Sequence, residues 1–308
     1  LNNSKIHWER FTTLLSERII NSFLRPLTSD DRRDVFIFDD STFRKRGYKK
    51  TELVARVFDH VEMKYIKGFR MLTLGWSDGS TFVPITQRLM SSSKDENVLG
   101  IVKELDKRSI AFRRIKEARE KATDVMLKML KSAQKDGHKA IDVLFDSWFS
   151  SPKVVTTIKT EYGLDTIAMM ICTDTTLSEE DIIQTYGKRW DIEVFFKTCK
   201  DMLKLEKGCH SLSYDALTAY VSIVFTRYML IAVETRTNND GRTGGEIFFM
   251  LCDEIEDISF NRSLMLIFQA VIEVTTEKLC LDAETCEKLM QEIISRLPAY
   301  MRERLSVL

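Results

Sequence analysis

The segment Asp34 to Asp40, Asp-Val-Phe-Ile-Phe-Asp-Asp, constrains the fold most, because four consecutive apolar residues are bounded by carboxylates. A run without polar alternation predicts a strand buried on both faces, at the centre of a sheet. Its terminal carboxylates then lie at the sheet rim. Ala140 to Phe145 repeats the pattern and ends at Asp146. Gly68 to Leu74 and Thr81 to Ile85 flank Ser77-Asp78-Gly79-Ser80, a hairpin signal. Leu53 to Phe58 and Thr166 to Cys172 are further strand candidates.

Helical spacing of apolar residues predicts a helix over Asn2 to Leu27, stopping near Pro26, and a long one over Arg113 to Asp136, capped by Gly137. Pro152 to Tyr162 reads as another helix. Ser178 with Asp181 three residues on is the N-cap signature of a helix that runs towards Lys207. From Leu212 onward the pattern is helical, divided by the polar stretch Thr237 to Gly245. This order predicts an α/β fold with a mixed sheet flanked by helices and an additional helical C-terminal region. The expected divisions are residues 1–33, 34–207 and 208–308.

Lysine plus arginine equals aspartate plus glutamate, 46 of each, so bulk charge points to no polyanionic partner. The distribution does. Arg44 to Lys50 holds five basic residues in seven, whereas Glu246 to Lys288 carries ten acidic against three basic. Such asymmetry fits a local nucleic-acid footprint on the first two thirds of the chain. The six cysteines form no C-x2-C pair and the four histidines are scattered, which disfavours a zinc site and is compatible with a reducing cytoplasm. The longest apolar stretch, Ala216 to Val233, has Arg227 near its centre; it reads as a buried helix and not as a membrane span.

Within Asp181 to Lys207, Tyr186, Arg189, Glu193 and Lys200 follow the spacing Y-x2-R-x3-E-x6-K, with Trp190 and Lys197 between them. Steps of three, four and seven residues put Arg189, Glu193, Lys197 and Lys200 on one side of a helix. Asp39 or Asp40, Asp146 and Glu193 then come from three separated elements. Oxygen ligands of this kind suit hard divalent cations such as Mg2+, and two ions about 4 Å apart catalyse in-line displacement at phosphorus. Asp39 and Asp40 each stand two residues before a hydroxyl, at Ser41 and Thr42. Strand alternation turns only one of them to the metals, and Asp39, directly after the apolar run, is the preferred reading.

These residues resemble the bacterial insertion-sequence transposases that carry a DDE triad on a ribonuclease-H-like fold, in the group marked by the Y-R-E-K signature. Phe36 to Ser41 looks like the first-aspartate strand, Val143 to Phe149 like the second, Tyr186 to Lys200 like the glutamate helix, and Arg70 to Pro84 like the family's hairpin. The resemblance covers most of the chain. It implies Mg2+-dependent cleavage at the ends of a mobile element, with Mn2+ able to substitute, and joining of those ends to target DNA. It implies Asp39, Asp146 and Glu193 as metal ligands, with Tyr186, Arg189, Lys197 and Lys200 on DNA phosphates. It further implies a homodimer on paired ends, without a membrane, in a bacterial cytoplasm at the nucleoid.

The chain departs from the family pattern in one interval. Relatives carry a long β-rich insertion between the second aspartate and the glutamate, whereas Asp146 and Glu193 are 47 positions apart here. With Leu1 rather than Met at the start, the expectation is a chain lacking both that insertion and an N-terminal part. Two alternatives follow: a catalytically impaired relic that still binds DNA, or a ribonuclease-H-like nuclease without strand transfer. For Trp148 and Trp190, near the triad, core packing is the expectation and stacking on an unpaired base the alternative.

Overall fold

A computed structural model describes residues 3–28, 32–60, 62–169 and 171–237, together with Thr285 and Lys288. The chain divides into two compact units, Leu1–Gly244 and Gly245–Leu308. The helical expectation for residues beyond 237, and with it the acidic stretch, lies outside the described residues apart from those two.

The apolar run becomes the middle of the sheet. Strand β1 (Val35–Arg44) is flanked by β3 (Lys64–Ser77), antiparallel, and β5 (Asp142–Phe145), parallel. Val35, Phe36, Ile37 and Phe38 are all fully buried, each contributing about 1.5–3 kcal/mol of burial free energy. Strand β1 runs four residues beyond the expected end because β3 pairs with its whole length, Val35↔Ser77 to Arg44↔Gly68. At the last rung a Cβ on Gly68 would meet the Phe43 carbonyl at 2.1 Å, so only glycine permits this approach. Strand β5 stops at Phe145, which leaves the edge of Asp39 to Arg44 open on that side.

On the far edge of β3, β2 (Ala55–Asp59) and β4 (Phe82–Met90) pair end to end. Strand β6 (Asp165–Ala168) lies parallel to β5 and pairs antiparallel with β7 (Ile171–Cys172). The order β4-β3-β1-β5-β6, with three antiparallel strands followed by two parallel ones, is that of a ribonuclease-H-like sheet, and helices cover it. Thr166 to Cys172 is therefore a tight reversal and not one strand. The Thr173 amide bonds the Thr166 carbonyl at 3.0 Å, and the Thr173 hydroxyl accepts from the Thr166 amide at 2.9 Å.

Two long helices of the sequence reading are each broken. Arg113 to Asp136 divides into α2 (Ile110–Ala118) and α3 (Ala122–Lys135). The Ala118 carbonyl, which a continuous helix would offer to residue 122, accepts instead from the Ser91 amide at 2.7 Å, and Arg119 donates to the Ser92 carbonyl at 3.1 Å. The stretch from Asp181 divides into α5 (Glu179–Gly187) and α6 (Trp190–Asp201). Gly187 weakens the helix there, while the Lys188 ammonium reaches the Arg33 carbonyl at 2.6 Å. Ser178 and Asp181 form a reciprocal capping box on α5.

The remaining helices are α1 (Trp8–Ile19), continued by tighter and wider turns to Leu27, α4 (Pro152–Tyr162) and α7 (Tyr214–Thr237). Helix α4 has its expected bounds, closed by Gly163 at φ +66°. By length and composition α7 could cross a membrane, but it packs on β4 and α1, with Leu217, Val221, Phe225 and Met229 buried.

Candidate active site

The site lies where β1 outruns β5. Neighbouring residues of a strand face opposite ways, and here the two aspartates meet different partners. On one face α6 packs against β1. Arg189, immediately before α6, places one guanidinium nitrogen 3.1 Å from Asp39 Oδ2 and the other 2.5 Å from Glu193 Oε1. One cation thus joins a strand-end carboxylate to a helix carboxylate. On the other face Asp40 accepts two bonds from Arg70, at 2.7 and 2.5 Å.

Burial raises the Asp39 carboxyl to about 7; the neighbouring Asp40 and Glu193 charges add to this, while the Asp40 amide and Arg189 oppose it. Burial likewise acts against the Arg189 charge, but Asp39 and Glu193 outweigh it and hold the guanidinium above its ordinary range. The pocket therefore favours the protonated form of Asp39, chiefly through burial and secondarily through the two carboxylates beside it.

Asp146 follows β5 at the position that would continue the Phe38↔Phe145 register opposite Asp39. Its carboxylate accepts from its neighbour's amide, Ser147, at 2.6 Å and from the Ser147 hydroxyl at 3.1 Å, capping the short turn Ser147–Phe149. Among the described residues no three Asp, Glu, His or Cys side chains are gathered closely enough to hold one ion. The oxygen donors fit a hard cation in type, and Asp39 and Glu193 already share one positive group. Asp146 is held instead by Ser147.

Of the other signature residues, the Tyr186 ring lies 5.9 Å from the Arg189 guanidinium carbon. Lys200, at the end of α6, pairs with Glu206 at 3.1 Å, and Lys197 is exposed. The helix break sets Tyr186 on α5, apart from Arg189, Glu193, Lys197 and Lys200, which run from the residue capping α6 along that helix. Trp148 and Trp190 are 61% and 63% exposed, which overturns their expected place in the core. They sit on a short turn and on the first turn of α6, both at the rim and not under it.

An open groove of about 1140 Å³ begins at Asp40 and runs past Arg44, Arg46, Lys67, Lys200 and Lys207. Its wall also holds Phe58, His60 and Tyr65. Sequence reasoning missed Arg70 and this wall. A cation inside the apolar stretch Gly68 to Leu74, two residues from the Asp40 partner Leu72, was the available signal for Arg70. For the wall it was the alternation of rings and bases between Arg56 and Lys67.

A family model described as DDE superfamily endonuclease matches residues 1–181. The chain belongs to that family. A second model, described as archaeal putative transposase ISC1217, matches residues 154–238 and so spans both halves of the signature helix. No curated protein matches the chain. Together the two matches support a DDE transposase with a nuclease-type activity, in a superfamily that generally uses divalent metals.

Proposed function

We propose that the chain is a DNA transposase that cleaves phosphodiester bonds at the ends of an insertion sequence and transfers the freed strand to target DNA, with Asp39, Asp146 and Glu193 as its catalytic carboxylates. The observation that carries this reading is the Arg189 guanidinium joining Asp39 to Glu193 at the rim of the central strand. Two carboxylates that share one cation, one of them raised to about 7 mainly by burial, form a site poised for positive charge. Mg2+, or Mn2+ in its place, would be held by these two groups and Asp146, and would supply activation of an attacking oxygen and stabilisation of a leaving one.

The chain's own residues do the positioning. Arg189 is released from the carboxylates to a DNA phosphate, with Tyr186 against it, while Lys197 and Lys200 continue the phosphate track along α6. Asp40 stays with Arg70 and takes no part in metal binding. Residues 34–207 carry the chemistry, with 1–33 and 208–308 accessory to it, and the working form is a homodimer on paired ends in the cytoplasm. Asp146's bond to Ser147 favours one second reading, an impaired relic that binds DNA without cutting it.

Nicking of supercoiled plasmid in Mg2+ or Mn2+ tests this, run beside Glu193→Gln and a chelator. Nicking that both controls abolish, with DNA binding by Glu193→Gln within about three-fold of wild type, is the expected result. Nicking that survives Glu193→Gln refutes the site. A folded, DNA-binding wild-type chain without nicking supports the relic.

A further inference from the structure

Strands β2 and β3 end in a two-stranded ribbon whose faces differ sharply. Ala55, Val57 and Ile66 form a buried apolar cluster on one side. On the other, Arg56 stands opposite Lys67 and Phe58 opposite Tyr65, with His60 one step further. Cationic and aromatic rungs therefore alternate on one outward face. The rings are in contact: Phe58 lies 5.2 Å from Tyr65 and 5.0 Å from His60, and His60 lies 6.1 Å from Trp148. Trp148 in turn covers Arg70, 5.5 Å away, whose other contact is Asp40. At the opposite end Lys67 sits 3.9 Å from the Tyr48 ring.

Tyr65 is 68% and Trp148 61% exposed, a cost in exposed apolar area that packing within this unit does not explain. Five rings and their cations make a row that starts at Tyr48, in the basic turn Arg44 to Lys50, and ends at Arg70, the partner of Asp40. Duplex DNA hides the faces of its bases, whereas an unpaired strand presents both bases and phosphates, and rings flanked by cations bind such a strand without reading its sequence.

We propose that this face of β2 and β3, with Trp148, is a platform for single-stranded DNA leading to the candidate active site, each exposed ring stacking a base and Arg56, Lys67 and Arg46 holding the backbone. This rests on the reading of the chain as a DNA transposase and adds to it that the strand entering from this side is unpaired.

The test is binding of fluorescent dT15 and of a 15-base-pair duplex by the full chain in chelator, where cleavage plays no part. Wild type is expected to bind dT15 more tightly than the duplex. Tyr65→Ala and Trp148→Ala are each expected to weaken dT15 by about five-fold or more and to change duplex binding less than two-fold. Tyr65→Phe and Trp148→Phe are expected to restore it, which separates stacking from a merely structural role. Equal losses for dT15 and duplex, or no loss in either alanine variant, overturn the platform. Since Glu193→Gln nicking is a separate readout, the platform can fail while the catalytic site stands, and the reverse.

Discussion

Asp39 and Asp40 are neighbours of one type on one strand, yet they have opposite surroundings. Asp40 meets Arg70 in a two-bond pair that satisfies it locally. Asp39 has a half share of Arg189, the other half belonging to Glu193, and is raised to about 7, chiefly by burial. A structural aspartate is one whose charge is already answered. A carboxylate buried beside a second carboxylate and short of positive charge is the one with something left to bind.

The largest effect that would break this comparison is on cleavage. Asp39→Asn should reduce plasmid nicking by about 1000-fold or more, the scale of losing an essential electrostatic group. Asp40→Asn should leave it within about ten-fold and cost on the order of 1–2 kcal/mol in denaturant melts, since the Arg70 pair is partly exposed. Exchanged outcomes would make Asp40 the ligand.

Next is stability against pH, measured in chelator. Folded Asp39 keeps its proton to about pH 7, and an unfolded aspartate loses it near its ordinary value of 3.8. Between those limits the folded state binds more protons, so this residue's contribution falls as pH rises and levels off above about 7. Asp39→Asn should therefore be more stable than wild type at pH 8, by on the order of 2–4 kcal/mol, and equal to it near pH 4. An equal effect at both pH values would remove the burial argument.

A smaller change is expected from Arg189→Ala, which should lower the salt dependence of DNA binding by about one released counterion. An unchanged slope would mean that Arg189 never leaves the carboxylates. Smallest is His138, buried beneath α1 with Ser16 at 2.9 Å, where burial lowers the imidazole below its ordinary range. The sign is opposite to that of Asp39: the unfolded state takes up the proton first, and stability falls as pH drops below about 6.5. His138→Gln should flatten that slope; a slope that survives comes from another group.

The strands were legible where burial alone decides them, as in Val35 to Phe38 and Val143 to Phe145, and so were helix ends closed by their own residues, as at Ser178 with Asp181 or Gly163. The spacing of Arg189 and Glu193 foretold their contact. What sequence could not supply was set by hydrogen bonding and packing. The Ser91 amide takes the Ala118 carbonyl and ends α2, and α5 gives way to α6 where the Lys188, Arg189 and Asp191 amides bond three residues back. Alternation said that Asp39 and Asp40 diverge, but only the packing of α6 on β1 says which of them meets Glu193. Core packing was the expectation for Trp148 and Trp190, and their exposure reflects their places on the short turn after β5 and on the first turn of α6.

The central claim is that Asp39, Asp146 and Glu193 share one metal site, and iron-directed backbone cleavage tests it most directly. Fe2+ with ascorbate and peroxide cuts a chain beside the ligands that hold it. Cuts mapped near residues 39, 146 and 193, suppressed by excess Mg2+ and lost in Glu193→Gln, are the predicted result. Cuts confined to other positions, or a pattern indifferent to Mg2+ and to Glu193→Gln, would contradict the account.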